Sequence, residues 1–396
     1  MQANGHGDTH VTGRLHTEER QPMSRSAFLR GTVGAMLGAG FVLNTPASAA
    51  AAGVRRSGTT TRQATATTKI ADLTGPNPGQ TAQFRMAATD LGVPVVTPDG
   101  RKLFVFGDTY ERPEAIHGGW WRSPVALYST TTDLNGGIAW SGAVGGDAAR
   151  QLWPYEHTNG LTVLPSDVVT IGNTIYLHAM VNEPFPNVTS TEIWKSDDNG
   201  ASWQFTGARF PAVDEERFGD LFQCLTWAAG NDGFVYVFST KFGRQSPLIL
   251  SRVPIDRITD PAAYVPWGWD GAAWGWGNKA TPVLSGKFGE LSLRPLGGKW
   301  VLTWFNNEAG SYRIEGILMN TPTDNLLQAY RRTLVWGVPW GQEDHATGRV
   351  AQPYGGYIIP GSTLDELHLA VSQWDTVHGD NWPYRVMQFR TRGFGS

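Results

Sequence analysis

The sequence of 396 residues carries 32 basic and 35 acidic side chains, a formal charge of -3. That balance gives neither a nucleic acid nor an anionic membrane an electrostatic reason to bind. A single cysteine, Cys224, excludes an intrachain disulfide and any multi-cysteine metal site, while 48 glycines and 17 tryptophans point to a loop-rich, aromatic-rich globular chain.

Residues 1–49 read as an export signal. Ser24-Arg25-Ser26-Ala27-Phe28-Leu29-Arg30 supplies a basic region, Gly31 to Leu43 a short apolar run, and Ala47-Ser48-Ala49 a small-residue cleavage site. The run is too short for a stable membrane span. The basic stretch is similar to a twin-arginine signal, with Ser26 where the second arginine would stand, so the twin-arginine and Sec routes both stay open. The expected destination is extracellular or cell-wall associated. Residues 50–68, rich in alanine and threonine, read as a flexible linker, and 69–396 as the folded domain.

From there on no segment shows sustained helical periodicity. Short apolar alternating runs recur instead, each entered through a tight turn. Pro98-Asp99-Gly100 leads into Lys102 to Phe106, Gly172-Asn173 into Thr174 to His178, and Asn231-Asp232-Gly233 into Phe234 to Phe238. Gly297-Gly298 leads into Lys299 to Trp304, and Pro360-Gly361-Ser362 into Leu367 to Val371. Upstream of each turn lies another short strand with a polar residue: Asp90, Asp167, Gln223, Glu290 and Gln352 in turn. Five copies of strand, turn, strand predict an all-β, five-bladed β-propeller; a pair of β-sandwiches is the weaker alternative. Ser196-Asp197-Asp198-Asn199-Gly200-Ala201-Ser202-Trp203 fits the Asp-box S-x-D-x-G-x-x-W, a structural hairpin turn of propellers.

In a propeller the innermost strands line one channel, so those five polar residues are expected to converge. Asp90, in Thr89-Asp90-Leu91-Gly92-Val93-Pro94, begins one strand of a hairpin, and Asp108, in Phe106-Gly107-Asp108-Thr109-Tyr110, ends the next. The start of one antiparallel strand and the end of its neighbour share an edge, which brings two carboxylates to one rim, as glycoside hydrolysis requires. Each aspartate taken alone reads better as a turn cap, and only as a pair do they bring the catalytic reading level with it. Glu290 is a third acid; Arg294, four residues along, lies on the same face and is its expected ion-pair partner, with a general-acid role as the alternative. Asp167 is the same kind of residue, with cation binding as another reading. Trp120 and Trp121 follow the Asp108 loop and are the preferred sugar-stacking candidates, although most tryptophans of such a chain pack between blades. No serine-hydrolase elbow, zincin motif, P-loop or dinucleotide fingerprint is present. Neither a metal nor a cofactor is expected, with a structural cation in the channel left open, and a monomer is the expected state.

Several of these segments together resemble glycoside hydrolase family 183, built on domain of unknown function 4185. They are Thr89 to Pro94, Leu103 to Thr109, Ser292 to Trp300, Gln352-Pro353-Tyr354-Gly355-Gly356 and the closing Asn381 to Phe389. The resemblance covers roughly Lys69 to Arg392. It implies a five-bladed propeller acting as an endo-D-arabinanase on the arabinan of mycobacterial arabinogalactan and lipoarabinomannan, with Asp90 and Asp108 as its catalytic aspartates. Gln223, Gln352 and Tyr354 join Trp120, Trp121, Asp167 and Glu290 as candidate substrate-binding residues. Two alternatives stay in view. One is a non-catalytic wall-glycan-binding propeller; the other is a propeller glycosidase of different specificity, such as a sialidase, whose arginine triad is not evident here.

Overall fold

The computed structural model describes residues 66–308, 312–379 and 381–396. The signal read over 1–49, and the linker as far as residue 65, lie outside the described residues. Within them the strands form a five-bladed propeller, and the only helices are three-residue 3-10 turns. Blade 1 runs Ala88–Val96, Lys102–Tyr110, Val125–Ser129 and Gly142–Ala143, with the short strand Trp121–Arg122 beside its second strand. Blade 2 runs Thr162–Ile171, Thr174–Asn182, Val188–Ser196 and Gln204–Pro211. Blade 3 runs Cys224–Ala229, Phe234–Thr240 and Ser246–Pro254, and carries the hairpin Val265–Trp269 and Trp274–Trp276 on its outer edge. Blade 4 runs Leu284–Leu296, Lys299–Asn306, Arg313–Met319 and Arg332–Val338. In blade 5, Pro353–Ile358, Glu366–Trp374 and Tyr384–Arg392 are completed by the first strand of the described chain, Ala66–Asp72. No helix among the described residues is long and apolar enough to cross a membrane.

That first strand corrects the linker boundary. Ala66 pairs with Arg392 and Asp72 with Met387, so residues 66–68 belong to the propeller. Composition hid this because the partner strand lies at the far end of the chain: the Thr67 and Thr391 hydroxyls share a 2.7 Å hydrogen bond across 324 residues. The pairing closes the ring, because the last blade holds both the first and the last strand of the described residues.

The inner strands touch in a ring, Ala88–Val96 against both Thr162–Ile171 and Pro353–Ile358, and so on around. The inner and second strands of blade 1 are among the most completely covered. Lys102–Tyr110 is accordingly buried at every position after Lys102, where the sequence predicts alternation. Alternation survives on outer strands such as Gln204–Pro211, which present one face to solvent.

The Asp-box turn joins the last two strands of blade 2 at the end of the ring away from the inner-strand starts. Asp198 Oδ1 accepts from Ser196 Oγ at 2.7 Å and from Ser202 N at 2.9 Å, and Trp203 packs beneath with its indole N–H on Gly200 O at 3.1 Å.

His178, on the second strand of blade 2, is fully buried against Phe222 and Trp227, and neither ring nitrogen has a hydrogen-bond partner among the described residues. Burial pushes its pKa down to about 3. The folded protein therefore holds a neutral imidazole that the unfolded chain protonates below pH ~6.5. Its contribution is fully present above that pH and is lost as pH falls toward the folded value, about 2 kcal/mol having gone by pH 5. The pH dependence of Tm should flatten in a His178→Leu variant; an unchanged slope would show that the imidazole does not carry this effect.

Candidate active site

All five inner strands start at the same end of the ring, and all five second strands finish there. A pocket opens at this mouth with every blade contributing, among them Asp90, Pro165, Arg244, Glu290 and Tyr354. Its walls are aromatic: Phe185, Phe242, Phe305, Trp374 and Tyr384. Three of its lining residues, Leu91, Arg244 and Gln352, hold left-handed backbone at φ 66, 61 and 47. Side chains larger than glycine adopt that region only where the surrounding structure over-determines it.

Asp90 sits where the blade 1 hairpin is irregular. The Thr89 and Thr109 hydroxyls meet at 2.8 Å, and the next registered pair is Leu91 with Phe106, leaving Asp90 opposite Gly107 and Asp108. The bulge turns Leu91 into left-handed backbone, and its N–H is taken by Ser372 Oγ of blade 5 at 2.9 Å. Tyr354 donates its hydroxyl to Asp90 Oδ2 at 3.1 Å. A Cβ on Gly107 would stand 2.4 Å from Asp90 Oδ1. The glycine before Asp108 is thus what lets the Asp90 carboxylate lie against the neighbouring strand.

Asp108 follows at the end of the second strand, 1% exposed, and accepts the Trp121 indole N–H at 3.0 Å. The Trp121 ring rests on His157, with centroids 4.2 Å apart. Trp120 lies under two guanidinium groups, Arg122 at 4.0 Å and Arg85 at 4.9 Å from the ring. Asp108, Trp120 and Trp121 do not line the pocket, whereas Asp90, Glu290, Gln352 and Tyr354 do.

The expected Glu290–Arg294 pair is not formed. Arg294 turns instead to Asp167, with bonds of 2.8 and 3.0 Å to its two carboxylate oxygens. Asp167 is fully buried and also accepts from Thr226 Oγ1 at 2.5 Å, Trp227 N at 3.1 Å and Val168 N at 2.8 Å. Its every oxygen is committed, and it does not line the pocket. Strand periodicity puts Glu290 and Arg294 on one face, but the long inner strand of blade 4 passes from pocket to interior between them, so each meets a different neighbour.

Glu290 pairs with Arg244, whose Nε lies 3.1 Å from Glu290 Oε1 and whose Nη2 reaches the same oxygen. Burial opposes the guanidinium charge, but the Glu290 carboxylate prevails and holds the Arg244 pKa above its ordinary value. Sequence reasoning missed Arg244. The available signal was positional: Lys241-Phe242-Gly243-Arg244 follows the second strand of blade 3 as Asp108 ends that of blade 1. Gln223 supports this segment from outside the pocket, taking Phe242 N at 3.0 Å and donating to Ala212 O at 2.9 Å. Gln352 joins blade 5 loops, accepting from Trp340 Nε1 and Thr376 N, each at 3.1 Å. Among the described residues no group of three or more His, Cys, Asp or Glu is placed to hold a metal ion.

The sequence profile of a family described as a domain of unknown function, DUF4185, matches residues 76–390. The chain belongs to this family. An uncharacterized 35.9 kDa protein in the asd 3′ region of Mycolicibacterium smegmatis is 32% identical to this DUF4185 chain over 330 residues, spanning 80% of it and 96% of that protein. Notoamide biosynthesis cluster protein J′ of Aspergillus versicolor is 32% identical over 316 residues, 74% of this chain and 82% of that one. Among solved structures, a Bacteroides ovatus protein described as a provisional hydrolase superposes with a TM-score of 0.54 at 12% identity, covering 81% of this DUF4185 chain and 93% of its own. At that identity the likeness is one of fold.

Proposed function

We propose that the protein is a secreted glycoside hydrolase that cleaves internal α-D-arabinofuranosyl linkages of D-arabinan, with Asp90 and Asp108 as its carboxylate pair. The observation that carries this reading is the placement of Asp90. It is a carboxylate at the channel mouth, hydrogen-bonded to Tyr354 and opposite Gly107 and Asp108, in a pocket walled by aromatic rings. Glycoside hydrolysis needs a proton donor on one side of the scissile bond and a base or nucleophile on the other. Flat rings supply stacking faces for sugars. The burial of Asp108 favours one second reading, a propeller that binds wall glycan without cleaving it.

Incubating the protein with purified arabinogalactan and separating the products tests both. Released arabino-oligosaccharides of several lengths are the expected result. Tight binding with intact polysaccharide would move the protein to the binding class, and neither binding nor cleavage would remove the glycan reading.

Gly107→Ala is a finer test of the Asp90 placement. The new methyl must push the carboxylate aside, and a displacement on the order of 1 Å costs about 100-fold in rate. Turnover should fall by roughly that factor, with a modest drop in Tm, because the methyl would also stand 3.0 Å from Cδ1 of the buried Leu91. Full activity in a folded Gly107→Ala protein would mean that the Asp90 position does not matter.

A further inference from the structure

The Arg244–Glu290 pair has one feature that an ordinary ion pair lacks. Glu290 Oε1 takes both the Nε and Nη2 bonds of Arg244, yet Glu290 Oε2 is buried and has no hydrogen-bond partner among the described residues. Buried polar atoms are satisfied in nearly all native structures, and one left without a donor is held at a cost in stability. Both residues line the pocket that holds Asp90.

The pair is also unusually well mounted. Arg244 stands in left-handed backbone, next to Gly243, and Asn307 Nδ2 donates to its carbonyl at 2.9 Å. Its guanidinium faces the rings of Tyr354 and Phe305, at 4.9 and 5.2 Å from their centroids. Gly289 keeps the approach open, since a Cβ there would meet Phe305 at 2.7 Å and Arg244 Cγ at 3.1 Å. A long, rotamer-rich side chain has thus been fixed in place before any ligand arrives.

We propose that Arg244 and Glu290 form a clamp for two neighbouring hydroxyls of the bound sugar. Glu290 Oε2 accepts from one hydroxyl, and the Arg244 nitrogen not engaged with Glu290, Nη1, donates to the other. A neutral polyhydroxylated ring is the chemical class that fits. Its hydroxyls both donate and accept, whereas an anion would face the Glu290 and Asp90 carboxylates and a cation would face Arg244. The inference rests on the glycan reading and adds to it a residue pair that selects hydroxyl arrangement.

The test measures calorimetric affinity for an arabino-oligosaccharide in Asp90→Asn protein, where cleavage does not interfere. Adding Glu290→Gln, or separately Arg244→Lys, should weaken binding about 10-fold or more, the loss expected when a hydrogen bond to a charged group is removed. A panel of singly deoxygenated oligosaccharides then separates contact from mere structural support. At least one should bind Asp90→Asn protein weakly, yet lose little further affinity when Glu290→Gln is also present, because the two changes delete the same bond. Near-unchanged affinity in both folded variants, or fully additive losses across the whole panel, would overturn the clamp. If Glu290→Gln does not fold, Arg244→Lys carries the same cycle. Wild-type protein that neither binds nor cleaves the glycan overturns the glycan reading and the clamp together. Wild-type cleavage with additive losses overturns the clamp alone.

Discussion

Asp90→Asn should abolish arabinan cleavage, with a loss of about 1,000-fold or more, since a positioned acid, base or nucleophile contributes on that scale. Asparagine changes little volume and can still accept the Tyr354 hydroxyl, which meets Asp90 Oδ2 at 3.1 Å. The variant should therefore keep its Tm and its affinity for oligosaccharide. Asp108→Asn should lose cleavage to a similar degree, because the reaction needs two carboxyl groups. The Trp121 indole, 3.0 Å from Asp108 Oδ1, can bond the amide oxygen equally well, so folding should again survive. Adding azide to each inactive variant, and reading the anomeric configuration of the azide adduct, assigns the roles in a retaining reaction: azide standing in for the nucleophile gives inverted product, and azide standing in for the acid/base gives retained product. Two folded variants that still cleave would eliminate the mechanism. A dead Asp90→Asn beside a fully active Asp108→Asn would keep Asp90 and move its partner elsewhere in the pocket.

The largest effect on stability is expected at Asp167, although its place in the repeat marks it as a channel residue like Asp90. Asp167 sits inside the ring and is wholly buried; it accepts from Thr226 and Trp227 of blade 3 and from Arg294 of blade 4. Arg294 in turn donates to Pro94 O of blade 1 at 3.3 Å, so this one ion pair ties four of the five blades together. Removing one partner of such a pair leaves a buried charge without compensation, which costs about 3–5 kcal/mol. Asp167→Ala should lose that amount in denaturant unfolding, and Arg294→Met a similar amount. The double variant should lose much less than the sum, because the stranded charge has gone. Additive losses would show that the two residues stabilise the ring independently.

The two aspartates illustrate how much of the site is legible in the amino-acid sequence. Asp90 and Asp108 belong to one hairpin, and antiparallel pairing alone brings a strand's start next to its neighbour's end. The bulge that sets Asp90 against Gly107 is not legible there, because a register shift is visible only when both strands are aligned. Proximity to Asp108 along the chain marks Trp120 and Trp121 as stacking surfaces. In the fold one ring lies beneath two arginines and the other bonds Asp108, since Trp121–Arg122 pairs with the second strand of blade 1 outside the pocket. Arg244 escapes notice for the converse reason: nothing in its local sequence distinguishes it, and its partners Glu290 and Tyr354 come from blades 4 and 5.

What the sequence determined by itself was local and repetitive. Five tight turns, each between two apolar runs, required hairpins, and their recurrence required a repeated blade. The Asp-box likewise specified its own turn, because the side-chain bonds of Ser196, Asp198 and Trp203 that shape it lie within eight consecutive residues. Only the tertiary structure decided which polar groups meet. It joined Ala66–Asp72 to the last blade, sent Arg294 to Asp167 and gave Glu290 to Arg244. Those pairings depend on how blades pack around an axis, bringing together residues dozens to hundreds of positions apart, and strand periodicity carries no information about a neighbour in another blade.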